Sequence, residues 1–192
     1  MPSRDVNRIV LVPRWAGSGE SDFYPWLREQ VGVTVTAAPL LPSPGAPEVE
    51  PTTEAVLRAL GDDPEALAAT VLMGHSVGVQ AAMRALARLG DGRRVRGLLC
   101  VAGWWSVDAP WPALLPWQAP FAFERARAAA GSTKVLLSDG DPYTTDAGAT
   151  ARLFEERVGA EVVVVPGAKH FNATPQPEVL AALRAWLPAP SR

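Results

Sequence analysis

The residues with the clearest chemical potential form a glycine-flanked motif around one serine, Gly74-His75-Ser76-Val77-Gly78. The motif follows an apolar run at residues 70–73, which predicts a strand, and it opens a helical pattern at residues 77–89. A Gly-x-Ser-x-Gly sequence between a strand and a helix is typical of a sharp turn that holds a nucleophilic serine above a sheet. The helix N-terminus behind such a serine favours developing negative charge. The alternative role for Ser76 is that it only caps the helix.

A serine hydroxyl is a weak nucleophile and needs a general base within hydrogen-bond reach. The chain contains two histidines, His75 and His170. Because His75 is adjacent to Ser76, its side chain should point away from the serine, so we predict that His170 is the base. His170 follows a β-rich run at residues 161–165, in a loop that leaves the predicted sheet. The alternative is an ordinary histidine of a surface loop.

The base in turn needs a carboxylate that fixes its tautomer and stabilises the imidazolium. A β-rich run at residues 134–138 is followed by Asp139 and Asp141, and Asp146 lies slightly further on. Active sites gather at the carboxyl ends of parallel strands, so these acids are candidates. Asp141 is favoured because the following Pro142 restricts its backbone, whereas Asp139 is the alternative and could instead bond loop amides. Asp146 fits a structural position in the first turn of the next helix.

A tetrahedral intermediate also needs two hydrogen-bond donors for its oxyanion. One is expected to be the backbone N–H of Val77, the residue after the serine. The second should come from the loop after the first predicted strand, with the backbone N–H of Trp15 or Arg14 as the donor. The glycines of this loop do not complete a dinucleotide-binding Gly-x-Gly-x-x-Gly pattern, because Asp22 occupies its last position.

These residues must be positioned by regularly alternating strands and helices. Short β-rich runs predict six strands, at residues 8–12, 31–36, 70–73, 95–101, 134–138 and 161–165, buried on both faces. Apolar residues at helical spacing predict helices at residues 22–30, 52–60, 77–89, 147–158 and 177–187. This alternation favours an α/β fold, a three-layer α/β/α sandwich around a mostly parallel six-stranded sheet, over an α+β arrangement. The proline-rich stretch at residues 39–51 is expected to be a surface loop.

Composition excludes several other classes of protein. The 192 residues, 48% of them apolar, suffice for one domain over residues 1–192 with a substantial core. A net charge of -2 argues against nucleic-acid binding and against disorder. The single cysteine, Cys100, lies in an apolar run that predicts a buried thiol, and one cysteine with two histidines predicts no metal site. Neither a signal peptide nor a membrane span is apparent, so we expect a soluble cytoplasmic protein without membrane partners.

The motifs together resemble one known family. The chain is similar to the small serine hydrolases of the retinoblastoma-binding-protein-9 type, in the α/β-hydrolase superfamily. The resemblance implies a compact α/β-hydrolase fold that lacks the first two strands of larger members. It also implies that the aspartate directly before the proline, Asp141, is the triad acid. The matching residues are Val12-Pro13, Trp26, Met73-Gly74-His75-Ser76-Val77-Gly78, Ala81-Ala82-Met83-Arg84, Ser138 to Pro142 and His170-Phe171-Asn172.

The chain departs from this family at two points. Arg14-Trp15 stands where the family usually has Gly-Asn or a similar small pair, in the loop expected to supply the second oxyanion donor. Lys169 stands where a glycine commonly precedes the histidine. Neither change removes a member of the predicted triad.

A tryptophan-rich insert at about residues 103–120 follows the fourth predicted strand and should overhang the serine. It carries four of the seven tryptophans of the chain. Aromatic walls at this edge of the sheet favour an apolar acyl or aryl group, and the alternative is a hydrophobic plug packed on the helices. The predicted substrate-binding residues are Trp15, His75, Trp104, Trp105 and Phe171.

We therefore predict a carboxylesterase-like serine hydrolase that cleaves small esters, or related amides or thioesters, without a cofactor. The chemistry would be acylation of Ser76 followed by attack of water, with His170 acting as base and then as acid. The insert is too short for a large lipase lid, so we expect short-chain substrates. An acyltransferase or thioesterase with the same triad is one alternative, and a protein-binding scaffold with an idle triad is another. The sequence does not indicate an oligomeric state.

Overall fold

A parallel sheet forms the centre of the molecule in the computed structural model, which describes residues 5–188. Its six strands are β1 (Arg8–Val12), β2 (Thr34–Ala37), β3 (Thr70–His75), β4 (Gly97–Val101), β5 (Thr133–Ser138) and β6 (Glu161–Val165). They lie in the order β2-β1-β3-β4-β5-β6, and every neighbouring pair is parallel. The predicted six-stranded sheet is confirmed, with all strands parallel.

Helices cover both faces of this sheet. They are α1 (Tyr24–Gln30), α2 (Val49–Leu60), α3 (Pro64–Ala68), α4 (Val77–Arg88), α5 (Phe123–Ala129), α6 (Ala147–Val158) and α7 (Pro177–Leu183), with a 3-10 helix at Pro112–Gln118. Apolar residues of α1 and α7 share one core cluster with alternate residues of the strands, and those of α2, α4, α5 and α6 share the other. The three-layer α/β/α sandwich is thereby confirmed. No helix described over residues 5–188 has the length and apolar character that a membrane crossing requires.

The strand order creates a crevice at the carboxyl ends of β1 and β3, in the middle of the sheet. The chain runs from β1 outward to β2 and then returns to the opposite side of β1 to form β3. The loops after β1 and β3 therefore leave the sheet in opposite directions, and this switch point is where open α/β sheets bind ligands. The loop after β1 carries Arg14 and Trp15, and the turn after β3 carries Ser76.

How deeply a strand is buried depends on its position in the sheet, which the residue types of a single strand do not reveal. Every residue of the central strands β3 and β4 is buried, and Cys100 is a buried free thiol as predicted. In contrast, the prediction that β2 and β6 are buried on both faces is wrong, because these two strands lie at the edges of the sheet. Val163 and Val164 of β6 are therefore exposed.

Several element boundaries differ from the prediction. The strand predicted from residue 31 begins at Thr34, and the one predicted from residue 95 begins at Gly97. Helix α2 begins at Val49, inside the proline-rich stretch that was expected to be a loop. Helices α3 and α5 were not predicted, because each is short and offers only one or two buried apolar residues as a periodic signal.

Candidate active site

The turn between β3 and α4 holds Ser76 in a strained backbone conformation. Ser76 has φ 56° and ψ -120°, a region that side-chain-bearing residues rarely adopt. Its N–H donates to the Val101 carbonyl at 2.9 Å, which holds the turn against β4. A Cβ on Gly74 would lie 2.6 Å from the Gly78 carbonyl oxygen, and a Cβ on Gly78 would collide with the Val12 backbone. The flanking glycines are thus required by close backbone approach.

The hydroxyl of Ser76 is not used as a helix cap. Ser76 occupies the N-cap position of α4 but makes no side-chain capping hydrogen bond. The Val79 N–H donates to the Ser76 carbonyl at 2.9 Å, whereas the Val77 N–H, the first amide of α4, has no acceptor within the helix. The Ser76 side chain therefore does not cap α4, which was the alternative role considered for it.

His170 and Asp141 form a buried pair beside this turn. The His170 Nδ1 lies 2.8 Å from Asp141 Oδ2, and both side chains are at least nine-tenths buried. The other carboxylate oxygen of Asp141, Oδ1, accepts from the Tyr143 N–H at 2.9 Å. Because a carboxylate can only accept, the proton of the histidine lies on Nδ1, and Nε2 is left with a free lone pair. The Tyr143 ring packs edge-on against His170, with ring centroids 4.6 Å apart.

The other two acids of this loop have structural positions. Asp139 Oδ1 accepts from the Gly167 N–H at 2.7 Å, which ties the loop after β5 to the turn after β6. Asp146 is the N-cap of α6 and accepts from the Ala149 N–H at 2.7 Å. Of the three candidate carboxylates, Asp141 is the one that contacts a histidine.

Ser76 and His170 open onto the same cavity, which has a volume of about 250 Å³. In the described part of the chain no hydrogen bond joins the two side chains. Such contacts are often long in the absence of substrate and tighten in the complex. The walls are mostly apolar and include three tryptophans and one tyrosine. The rings of Trp15 and Trp111 meet edge to face, with centroids 5.1 Å apart. The cavity is lined by Arg14, Trp15, Ala16, Ser76, Val77, Trp104, Val107, Trp111, Leu114, Tyr143, His170 and Asn172.

The loop after β1 contributes Arg14, Trp15 and Ala16 to the cavity lining, and their amides differ in whether they have an acceptor. The Arg14 N–H donates to the Tyr24 hydroxyl at 3.2 Å, and the Ala16 N–H donates to the Pro44 carbonyl at 2.8 Å. Between them the Trp15 N–H has no acceptor among residues 5–188. Of the two predicted donors, Trp15 is therefore the one that remains available to an oxyanion. The Arg14 side chain is held by Asp22, with Nε–Oδ2 2.7 Å, and this hydrogen bond raises the pKa of Arg14.

Three of the predicted substrate-binding residues, His75, Trp105 and Phe171, do not line this cavity. His75 is completely buried and bonds to Tyr24 and to the His170 backbone. Phe171 is also completely buried and belongs to the core under α1 and α7. Trp105 turns away from Trp104 and stacks on Phe121 in a separate surface hollow. The prediction for Trp15 and Trp104 agrees with the cavity walls.

The tryptophan-rich insert contributes both to the cavity wall and to a hydrophobic plug, which were the two roles considered for it. Trp117 is buried as a plug, and its carbonyl accepts from the buried guanidinium of Arg84 at 3.0 Å. Trp104 and Trp111 instead line the cavity. Sequence reasoning missed Trp111, Val107 and Leu114 as wall residues because the insert has no periodic pattern that separates inward from outward side chains. No cluster of His, Cys, Asp or Glu within residues 5–188 is arranged to hold a metal ion.

A family model described as serine hydrolase matches residues 9–184, which is most of the chain. The chain belongs to the serine hydrolase family. The match covers β2 to β6, all of β1 except Arg8, the turn of Ser76 and the loop of His170. A comparison with curated proteins found no match to this chain.

Solved structures share the fold of this serine hydrolase family member. The ydeN gene product from B. subtilis has a TM-score of 0.78 at 20% identity, over 94% of this chain and 98% of that chain. Est1E from Butyrivibrio proteoclasticus, with ferulic acid bound, has a TM-score of 0.70 at 12% identity, over 94% and 88%. RedJ, a thioesterase from the prodiginine biosynthetic pathway in Streptomyces coelicolor, has a TM-score of 0.66 at 17% identity, over 97% and 95%. These likenesses confirm the predicted α/β-hydrolase fold.

Proposed function

We propose that this chain hydrolyses small esters through an acyl-enzyme on Ser76, with His170 as general base and Asp141 as its orienting acid. The observation that carries the proposal is the buried 2.8 Å hydrogen bond between His170 Nδ1 and Asp141 Oδ2, at a cavity that also contains Ser76. This bond leaves Nε2 of His170 as a proton acceptor on the cavity side. A histidine in that tautomer is what a neutral serine hydroxyl needs in order to become a nucleophile.

The proposed reaction has two halves. Ser76 Oγ attacks the ester carbonyl carbon while its proton passes to His170 Nε2, and the oxyanion accepts hydrogen bonds from the Val77 and Trp15 amides. Collapse of this intermediate breaks the bond to the leaving alcohol, which takes the proton from His170. Water then attacks the acyl-enzyme and gives a proton to His170, and collapse releases the carboxylic acid and restores the Ser76 hydroxyl. Asp141 stays ionised and stabilises the imidazolium in both halves.

The cavity supports a short acyl group and an aromatic leaving group. Its volume of about 250 Å³ is below the roughly 300–1,000 Å³ of sites that enclose drug-sized ligands. Trp111 and Tyr143 are 36% and 44% exposed at the cavity mouth, so they offer apolar ring surface to the part of a substrate that extends outward. The resemblance to the retinoblastoma-binding-protein-9 type is part of this proposal and rests on the Asp141-Pro142 pair and the surroundings of His170.

We expect a clear dependence of activity on acyl length. With p-nitrophenyl esters, kcat/KM for the acetate or butyrate should exceed that for the octanoate by roughly tenfold or more, because one misfitted methylene already costs about 1–3 kcal/mol. The measurement is the initial rate of nitrophenolate release across the series, with the Ser76→Ala variant as the blank for non-enzymatic hydrolysis. A rate that rises steadily to octanoate would contradict the proposed substrate size.

Product analysis with the same substrates separates hydrolysis from acyl transfer. The released acid and any transferred ester or thioester are quantified with and without an added alcohol or thiol. Free acid as the main product in each case supports the hydrolase. A main product that carries the acceptor would instead favour an acyltransferase.

A further inference from the structure

Two buried polar side chains beneath the site take no part in the proposed chemistry. Tyr24 on α1 is 1% exposed and His75 at the end of β3 is 0% exposed. The Tyr24 hydroxyl lies 2.7 Å from His75 Nδ1, and His75 Nε2 lies 2.8 Å from the backbone carbonyl oxygen of His170. On the other side, the Tyr24 oxygen accepts from the Arg14 N–H at 3.2 Å. The two side chains thus connect the loop after β1 to the loop after β6.

We call the three hydrogen bonds that run from Arg14 through Tyr24 and His75 to His170 the relay. The backbone groups at its two ends determine which atom donates in each bond. The His170 carbonyl can only accept, so His75 carries its proton on Nε2. Burial, with the nearby His170 as a smaller cause, lowers the pKa of His75 to about 3, so the ring is neutral and its Nδ1 is an acceptor. The Tyr24 hydroxyl must therefore donate to His75, and burial raises its pKa, which keeps that proton in place. The Tyr24 oxygen is then free to accept from the Arg14 amide.

The relay joins three segments of the chain: the loop after β1, the end of β3 and the loop after β6. Arg14 directly precedes Trp15, which lines the cavity, and His75 directly precedes Ser76. Three strands, β3, β4 and β5, separate β1 from β6 in the sheet. The base also lies in a strained segment, because both neighbours of His170 have positive φ, 53° at Lys169 and 54° at Phe171. A fixed acceptor position for the His170 carbonyl is therefore needed to hold the base in place.

We propose that Tyr24 and His75 are positioning residues, which hold the second oxyanion donor and the general base at their working distance from Ser76. This inference rests on the proposed function, since it assigns the two residues an effect on ester hydrolysis. Neither residue touches the cavity, so they act through Arg14 and His170. A misplacement of about 1 Å in such a site can cost a factor of about 10² in rate.

The test compares Tyr24→Phe with a matched loss of a buried hydroxyl elsewhere. Tyr24→Phe keeps the ring and removes only the hydroxyl, so we expect kcat to fall roughly 10- to 100-fold with KM changed less than about twofold. The control is Thr53→Val on α2, a buried residue that does not line the cavity and whose hydroxyl donates to the Val49 carbonyl at 2.7 Å. This control should lose comparable thermal stability and keep kcat within about twofold. Both variants are assayed well below their unfolding temperatures.

A conservative replacement of His75 gives a second readout. The amide nitrogen of His75→Gln can still donate to the His170 carbonyl, whereas His75→Leu can neither donate nor accept. We expect His75→Gln to retain at least about five times the kcat of His75→Leu. Equal kcat in these two variants, or unchanged kcat in Tyr24→Phe with a stability loss like that of Thr53→Val, would overturn the proposal.

The hydrogen bonds themselves can be measured without any activity. The chain has two histidines, so a long-range ¹⁵N–¹H spectrum of labelled protein resolves both rings. One ring should remain in the Nε2–H tautomer from pH 8 to pH 5, and its Nδ1 shift should change in Tyr24→Phe. If this signature is present but wild-type protein hydrolyses no ester, the proposed function fails while the hydrogen bonds stand. Absence of the signature in an active wild type removes the relay and leaves the proposed function intact.

Discussion

Ser76→Ala and His170→Ala are each expected to lower kcat for ester hydrolysis by a factor on the order of 10³ or more. The serine variant has no atom that can be acylated, and the histidine variant has no group to take the serine proton. Both side chains are small parts of the cavity wall, so KM should change far less than kcat. Because the two residues act as a unit, the double variant should be about as slow as the slower single variant.

The control for this series is another serine near the site. Ser106 is exposed in the insert, and its substitution Ser106→Ala should leave kcat within about twofold of wild type. All four variants are compared by initial rates on the same aryl ester, after thermal unfolding shows that each is folded. Retention of more than a tenth of wild-type kcat in Ser76→Ala would contradict the assignment of the nucleophile.

Asp141→Asn is expected to lower kcat by a factor on the order of 10³ to 10⁴, whereas Asp139→Asn should change it less than about threefold. At position 141 the amide oxygen would keep the bond from the Tyr143 N–H, so the amide nitrogen would face His170 Nδ1. That nitrogen donates, so it selects the histidine tautomer with the proton on Nε2, which cannot accept from Ser76. At position 139 the amide oxygen can still accept from the Gly167 N–H, so the hydrogen bond between the two loops is kept.

The two asparagine variants form a matched pair, since the substitution is identical and the residues lie in the same loop. The measurement is kcat and KM for each variant on one aryl ester, together with the thermal midpoint. The reverse order of effects, with Asp139→Asn the more damaging, would mean that the acid of the triad has been assigned wrongly.

The sequence was sufficient to select Ser76 and His170 as the proposed nucleophile and base, because each choice depends on a local signal. Two glycines around Ser76, between a strand and a helix, describe a turn whose close contacts exclude larger residues. His170 followed by elimination from two histidines. The acid was less certain from residue types alone, because Asp139 and Asp141 differ only in the path of one loop. That path turns Asp139 toward the Gly167 amide and Asp141 toward His170.

The surroundings of the site could not be predicted, because they depend on side-chain direction and on partners distant in sequence. His75, Phe171 and Trp105 were chosen for the cavity because each adjoins a residue that faces it. Residues adjacent in the chain need not face the same side, and here the neighbours of the site residues are buried or lie in another hollow. The choice between the amides of Arg14 and Trp15 depended on the hydroxyl of Tyr24, which no local pattern links to that loop.

The exposure of β6 has the same kind of cause. A run of four valines predicts a strand correctly, and it is compatible with a central strand or an edge strand. Only the order of strands in the sheet decides between them, and that order is a property of the whole chain. The alternation of strands and helices was enough for the fold class, since it repeats along the sequence and does not depend on any single element.

The central claim, an activated serine at the turn after β3, is tested most directly by covalent labelling. Folded wild-type protein and the Ser76→Ala variant are incubated with a fluorophosphonate, and their intact masses are measured. We predict one adduct on the wild type, none on the variant, and none on wild type unfolded before the reagent is added. A folded wild type that remains unlabelled, or a variant that is labelled as readily as the wild type, would contradict the account.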